Sequence, residues 1–206
     1  PDNAILINAY FPHLLKRLSD EVGAKLIHIS TDCVFSGKKG NYTEDDFRDA
    51  DDVYGRSKAL GEIINDKDLT IRTSIIGPEL KRRGEGLFHW FMHQHGEVNG
   101  FKTAIWGGVT TLELAKAIDV IIEENKTGLV QLSNGVGISK NDLLCLFKEL
   151  WHRNDIEIIP CNANGVDKSI ARSVRFNYKV PSYKKMLEDQ VEWMKNHPDL
   201  YNQYNN

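Results

Sequence analysis

Tyr54 and Lys58 stand four residues apart in Tyr54-Gly-Arg-Ser-Lys58, and Tyr54 lies 23 positions after Thr31 of a Ser30-Thr31-Asp32 run. On a helix, residues four apart project from one face, one turn from each other. An ammonium so placed stabilises a tyrosinate and is expected to draw the phenol down from its ordinary value of about 10. A phenol tuned in that way serves as a general acid or base near neutral pH. Alone the pair says little, because exposed helices carry Tyr-x-x-x-Lys by chance. Its weight comes from the hydroxyl-bearing segment ahead of it.

That segment, Lys25-Leu-Ile-His-Ile-Ser30-Thr31, is a short β-branched run after Gly23 and is expected to be a strand. A parallel strand buried on both faces reads this way, and ligands bind beyond the carboxyl ends of such strands. Ser30 and Thr31 therefore fall where chemistry is expected. A second buried-looking strand, residues 69–76, carries Arg72-Thr73-Ser74 and ends in Gly77-Pro78. The helix between them is expected from Tyr54 to about Asn65, with Leu60, Ile63 and Ile64 facing inward. Strand–helix–strand alternation predicts a parallel, doubly wound sheet.

In combination these residues resemble the extended short-chain dehydrogenase/reductase superfamily, and within it the dTDP-4-dehydrorhamnose reductases and related sugar-nucleotide reductases. Residues 23–37, with Ser-Thr-Asp-Cys-Val-Phe, resemble that branch's strand and loop containing Ser-Thr-Asp-Tyr-Val-Phe. Tyr54-Gly-Arg-Ser-Lys58-Ala-Leu-Gly-Glu62 is similar to its Tyr-Gly-x-Thr/Ser-Lys-x-x-Gly-Glu helix, and Arg72-Thr73-Ser74 to the Arg-Thr-Ser of the next strand. Three motifs in order over residues 8–78 are far more specific than any one of them.

The resemblance implies a catalytic set of Thr31, Tyr54 and Lys58. In it the phenol gives a proton to a substrate carbonyl as hydride arrives from NADP or NAD in reduced form. It places Asn8, Ser30, Tyr54, Lys58, Ser74, Ile75 and Ile76 near the cofactor, and Asp32, Cys33, Val34 and Ile75 near a nucleotide-activated 4-keto-6-deoxy sugar. The family often has tyrosine at Cys33 and tryptophan at Ile75, so this chain lacks two aromatic surfaces on which a sugar or base packs. Asn8 also suits an ordinary helix-surface amide. Arg72 suits either a place beside the nicotinamide or a buried ion pair. Two rival functions share these motifs: a nucleotide-sugar epimerase or dehydratase, and a non-catalytic regulatory subunit of the same fold.

The implied fold is α/β: a partial doubly wound, Rossmann-like parallel sheet with a smaller C-terminal α/β substrate-binding region. Residues 1–76, with 108–134 returning, are expected to belong to the nucleotide-binding part, and 77–107 and 135–206 to the substrate-binding region. The family opens with a strand, a Gly-x-x-Gly-x-x-Gly turn and a helix whose amides hold the cofactor pyrophosphate. This sequence contains no such turn. A βαβ unit takes about 30 or more residues, so the resemblance implies roughly 80 residues of family-type sequence ahead of Pro1.

Composition narrows the field further. The 206 residues carry 26 Lys plus Arg against 29 Asp plus Glu, net −3, with no long basic run. Nucleic acid is thereby excluded as the principal partner, since binding it needs clustered cations. Three cysteines without paired spacing suit reduced thiols and a cytoplasmic protein. No apolar run approaches the length of a membrane span. A homodimer is compatible with the family. The histidines at 89, 93 and 95 lack a carboxylate partner in metal-ligand spacing, so no metal is expected. Lys81-Arg82-Arg83 is a candidate diphosphate site, and Glu44 to Asp52 reads as a solvated acidic face.

Along the rest of the chain, a helix is expected over Asn3–Glu21, kinked or begun at Pro12. Others are expected at 87–95, 111–125, 140–151 and 181–196, the third of these capped by Ser139. Further strands are expected at 129–132 and 156–159.

Overall fold

A helical rod opens the computed structural model, which describes residues 1–81, 83–162 and 165–204. Within the rod, α1 (Asp2–Ile5) runs into a single wide π turn, Leu6–Tyr10, and on into α2 (Phe11–Glu21). Pro12 has no N–H to close a bond onto the preceding turn. The π turn lies just before it, and Pro12 sits in the first turn of α2, the place where a proline marks a helix's beginning. Ile5, Leu6, Ile7, Tyr10 and Phe11 on this rod remain exposed.

β1 (Ile27–Thr31) lies parallel to β2 (Leu69–Thr73), with Ser30 opposite Arg72 and Thr31 opposite Thr73. Between them come a 3₁₀ turn at Asp32–Val34, a long loop, and α3 (Val53–Leu60). Thr31 caps the 3₁₀ turn by accepting from the Cys33 amide, and Asp52 caps α3 by accepting from Gly55 N. α3 stops at Gly61, earlier than the apolar pattern suggests. The expected long strand 69–76 breaks at Ser74. Its remainder, β3 (Ile75–Ile76), leaves the sheet to pair with β6 (Val109–Thr110).

The remaining elements follow in order: α4 (Leu87–Met92), β4 (Gly96–Phe101), β5 (Ala104–Trp106), β6, α5 (Thr111–Glu123), β7 (Gly128–Gln131), β8 (Ile138–Ser139), α6 (Lys140–Leu150), β9 (Ile156–Cys161), β10 (Val166–Asp167) and α7 (Tyr183–Asn196). β7 joins β2, giving a parallel three-stranded sheet in the order β1-β2-β7. β4 pairs in parallel with β9, and β5 lies between β10 and β8. β4 carries no apolar run, since only Val98 and Gly100 of its six residues are buried, and the sequence pattern gave no sign of it.

Leu69, Ile71, Val130 and Leu132 of the central sheet pack with Leu114, Ala117 and Ile121 of α5 in a core that extends to Leu143, Leu144 and Phe147 of α6. Val34, Phe35, Tyr42 and Ile170 form a satellite core. Among the described residues no helix is long and apolar enough to cross a membrane.

The acidic loop is not simply a solvated face. Buried Glu44 accepts from the Gln131 amide at 3.0 Å and from the Ser173 hydroxyl. Asp49 accepts from Ser36 N and Oγ at 2.8 and 2.6 Å, and Asp46 from Thr43 N at 2.6 Å. These carboxylates satisfy backbone donors that the turns leave open.

Candidate active site

A cleft of ≈ 340 Å³ opens at the carboxyl ends of β1 and β2, lined by Ile29, Ser30, Thr31, Asp32, Cys33, Tyr54, Lys58, Thr73, Ser74 and Ile75. Thr31, Tyr54 and Lys58 thus share one wall. Gly55 permits the approach, because a Cβ there would run into the Cys33 carbonyl oxygen. A larger residue would push the start of α3, and Tyr54 with it, away from the strand end.

The electrostatics differ from the sequence expectation. Burial pushes the Tyr54 phenol up from its ordinary value, while a hydrogen bond with Thr31 opposes the shift. Lys58 does not draw the phenol down, because its ammonium donates to the Ile29 carbonyl at 2.7 Å. Burial lowers Lys58 itself, and the charge of Glu62 opposes that. The phenol therefore stands protonated, which is the state an acid must start from. The Thr31 hydroxyl donates to Asp32 Oδ1 and accepts from Cys33 N, both at 3.1 Å. Burial raises the Asp32 carboxyl, with the Thr31 and Cys33 hydrogen bonds opposing.

Behind this wall lies an ion cluster. Glu62, with its side chain fully buried, accepts from Arg72 Nε at 2.7 Å and Nη2 at 2.8 Å, from Ser30 Oγ at 2.8 Å and from Arg48 Nη1 at 2.9 Å. Burial pushes the Glu62 carboxyl up, but Arg72, Ser30 and Arg48 together outweigh it and the net shift is downward. Of the two places open to Arg72, the structure gives it the buried ion pair. Glu62 is the last residue of the Tyr54 motif, yet only its fold partners reveal its task.

Several expected contacts turn elsewhere. Val34 is fully buried in the satellite core and does not face the cleft. The Asn8 amide donates to Ser57 Oγ at 3.1 Å, the Ser30 hydroxyl is taken by Glu62, and Ser74 Oγ accepts from the Trp106 indole at 2.8 Å. Ile76 is buried against β6, whereas Ile75 is exposed at the cleft rim. His89 is hydrogen-bonded to Tyr204 at 2.8 Å, and His95 pairs with Asp155 at 2.9 Å. Lys81 and Arg83 are exposed, and Arg82 lies outside the described residues. Thr73, the middle residue of the Arg72-Thr73-Ser74 motif, lines the cleft and donates to the Leu132 carbonyl at 2.8 Å.

A parallel sheet with a threonine at a strand end and a Tyr-x-x-x-Lys helix beside it has the architecture of the extended short-chain dehydrogenases/reductases. Within that class the chain belongs to the family described as the RmlD substrate binding domain, whose model matches residues 1–175. It is 46% identical over 78 residues to the spore coat polysaccharide biosynthesis protein SpsK of Bacillus subtilis, covering 35% of this chain and 28% of that protein. It is 42% identical over 64 residues to dTDP-4-dehydrorhamnose reductase of Mycobacterium tuberculosis, covering 29% of this chain and 21% of that protein. The matched stretches therefore span less than a third of these curated relatives.

Two solved dTDP-4-dehydrorhamnose reductases have a similar fold. That of Clostridium acetobutylicum gives a TM-score of 0.79 at 23% identity, covering 94% of this chain and 74% of the other. That of Bacillus anthracis, solved in complex with NADP, also gives 0.79, at 24% identity over 93% and 74%.

Proposed function

We propose that this chain carries the proton donor and the sugar-binding part of an NAD(P)H-dependent reductase of a nucleotide-activated 4-keto-6-deoxy sugar. The observation that carries this is the convergence of Thr31, Tyr54 and Lys58 in one cleft, with the phenol kept protonated by burial. An amine and a phenol at the ends of parallel strands suit the nicotinamide end of NADP or NAD. The sequence has no glycine-rich turn after a strand to cradle the pyrophosphate. The open side of β1, with the exposed apolar residues of the first helix, is where such a segment would join this sheet.

When bound, the reduced nicotinamide supplies the hydride. Every other requirement falls to this chain. The carbonyl oxygen gains negative charge as its carbon is reduced, so it needs a proton at once. Tyr54 holds that proton beside the strand end, and Thr31 offers a second hydrogen bond to the same oxygen. Lys58, one turn along α3 and lining the same cleft, would hold the ribose next to the nicotinamide. Asp32, Cys33 and Ile75 line the space left for the sugar. Asn8 and Ser30 act by holding α3 and β1 in place through Ser57 and Glu62. Residues 1–76 with 108–134 form the nucleotide-side part in this proposal, and 77–107 with 135–206 the sugar-side part.

The test is stoichiometry. Given a 4-keto-6-deoxy nucleotide sugar, the whole protein is expected to oxidise one equivalent of NADPH or NADH per carbonyl lost. An epimerase or dehydratase returns its hydride to the sugar, so turnover without net cofactor oxidation would overturn the proposal.

A further inference from the structure

Resting on the reductase proposal, we infer that Asp32 is a positioning residue: its carboxylate holds the Thr31 proton away from the cleft, and only the neutral carboxyl frees it for the substrate's carbonyl oxygen. The Thr31 hydroxyl has one proton to give and lone pairs to accept with. The Cys33 amide donates to it at 3.1 Å, which fixes the oxygen at the start of the 3₁₀ turn. Its own proton goes to Asp32 Oδ1, also at 3.1 Å. A carboxylate can only accept. With Asp32 ionised, Thr31 therefore turns a lone pair, not a proton, towards the cleft that both residues line. A carbonyl oxygen also only accepts, and gains nothing from that lone pair. Rotation alone does not solve this. Asp32 is 4% exposed, so its charge depends on the hydrogen bonds it takes from Thr31 and Cys33.

Protonation reverses the arrangement. A neutral carboxyl has a proton of its own, taken from solvent through the cleft, and gives it to the Thr31 oxygen along the same contact. The oxygen stays where the Cys33 amide holds it, and the Thr31 proton swings into the cleft. Burial favours this form, because it raises the Asp32 carboxyl, with the Thr31 and Cys33 hydrogen bonds opposing. The other titratable groups around Asp32 are the Cys33 thiol beside it, Tyr54, Lys58 and the capping Asp52 of α3, and Lys168 after β10. The charge of Lys168 also opposes the rise. The productive form is thus present below the folded value of Asp32 and is lost as pH rises through it.

The experiment follows kcat against pH for the whole protein, with saturating NADPH or NADH and a 4-keto-6-deoxy nucleotide sugar. Wild-type kcat is expected to drop by about tenfold or more, to a lower plateau, as pH rises through the Asp32 value and before the Tyr54 limb. Asp32→Asn keeps the shape without the charge, so it should lose this step and turn over faster than wild type above it. Thr31→Ser should keep the step, whereas Thr31→Val should lack it, with kcat low throughout. A step that persists in Asp32→Asn, with only KM for the sugar nucleotide raised, would mark a plain sugar contact and overturn the inference. So would an Asp32→Asn rate no higher than the wild-type lower plateau, or a wild-type profile without the step. In each of these cases net NAD(P)H oxidation by the wild type still upholds the reductase. Its absence at every pH would overturn the reductase proposal and the inference with it.

Discussion

Tyr54→Phe is expected to lower kcat by about 10²–10⁴-fold, the range over which a positioned acid accelerates proton transfer. The ring stays and only the hydroxyl goes, so affinity for cofactor and sugar nucleotide should change by no more than a few fold. Folding should be untouched, since Tyr54 is 49% exposed and stands in no core cluster. The pH profile adds a second readout. Burial raises the phenol, so the alkaline limb of kcat/KM, which reports the free protein's acid, should sit above the ordinary tyrosine range. That limb should vanish in Tyr54→Phe. Full activity in the variant would show that Tyr54 is not the acid.

Glu62→Ala is expected to destabilise the protein by about 3–5 kcal/mol, because it leaves an arginine buried without its partner. Arg72 is only 2% exposed, and both its Nε and Nη2 donate to Glu62. Ser30 and Arg48 lose their acceptor in the same step. Replacing both partners by apolar residues of similar size, Glu62→Leu with Arg72→Met, should recover much of the loss. The pH dependence has a definite sign. The folded carboxyl lies below its ordinary 4.5, so its stabilisation is present above that value and disappears as pH falls through the folded one. Chemical denaturation at neutral and acid pH would read both effects. A Glu62→Ala midpoint equal to wild type would show that the cluster contributes nothing to stability.

The chemistry-bearing residues were legible because their relation is local. Tyr54 and Lys58 share a helix, and Thr31 stands at the end of the strand that precedes it. What stayed hidden depends on long-range return of the chain. Arg72 meets Glu62 only because β2 folds back beside β1. Glu44 looked like one of several solvated acids, yet its carboxylate receives a hydrogen bond from Gln131, far along the chain. The site-lining role of residues 74–76 was similarly blurred. A single strand fitted the pattern, but Ser74 redirects the chain towards β6, burying Ile76 and leaving Ile75 at the rim. The phenol's tuning went the other way from the sequence expectation, because spacing predicts proximity to an ammonium but not the burial that outweighs it.

The most direct measurement follows the hydride. The whole protein is supplied with nicotinamide cofactor deuterated at the transferable position of C4, together with a 4-keto-6-deoxy nucleotide sugar. Our account predicts one deuterium on the former carbonyl carbon of the product, with matching oxidised cofactor. A product free of label, or a changed sugar with the deuterium still on the cofactor, would contradict it.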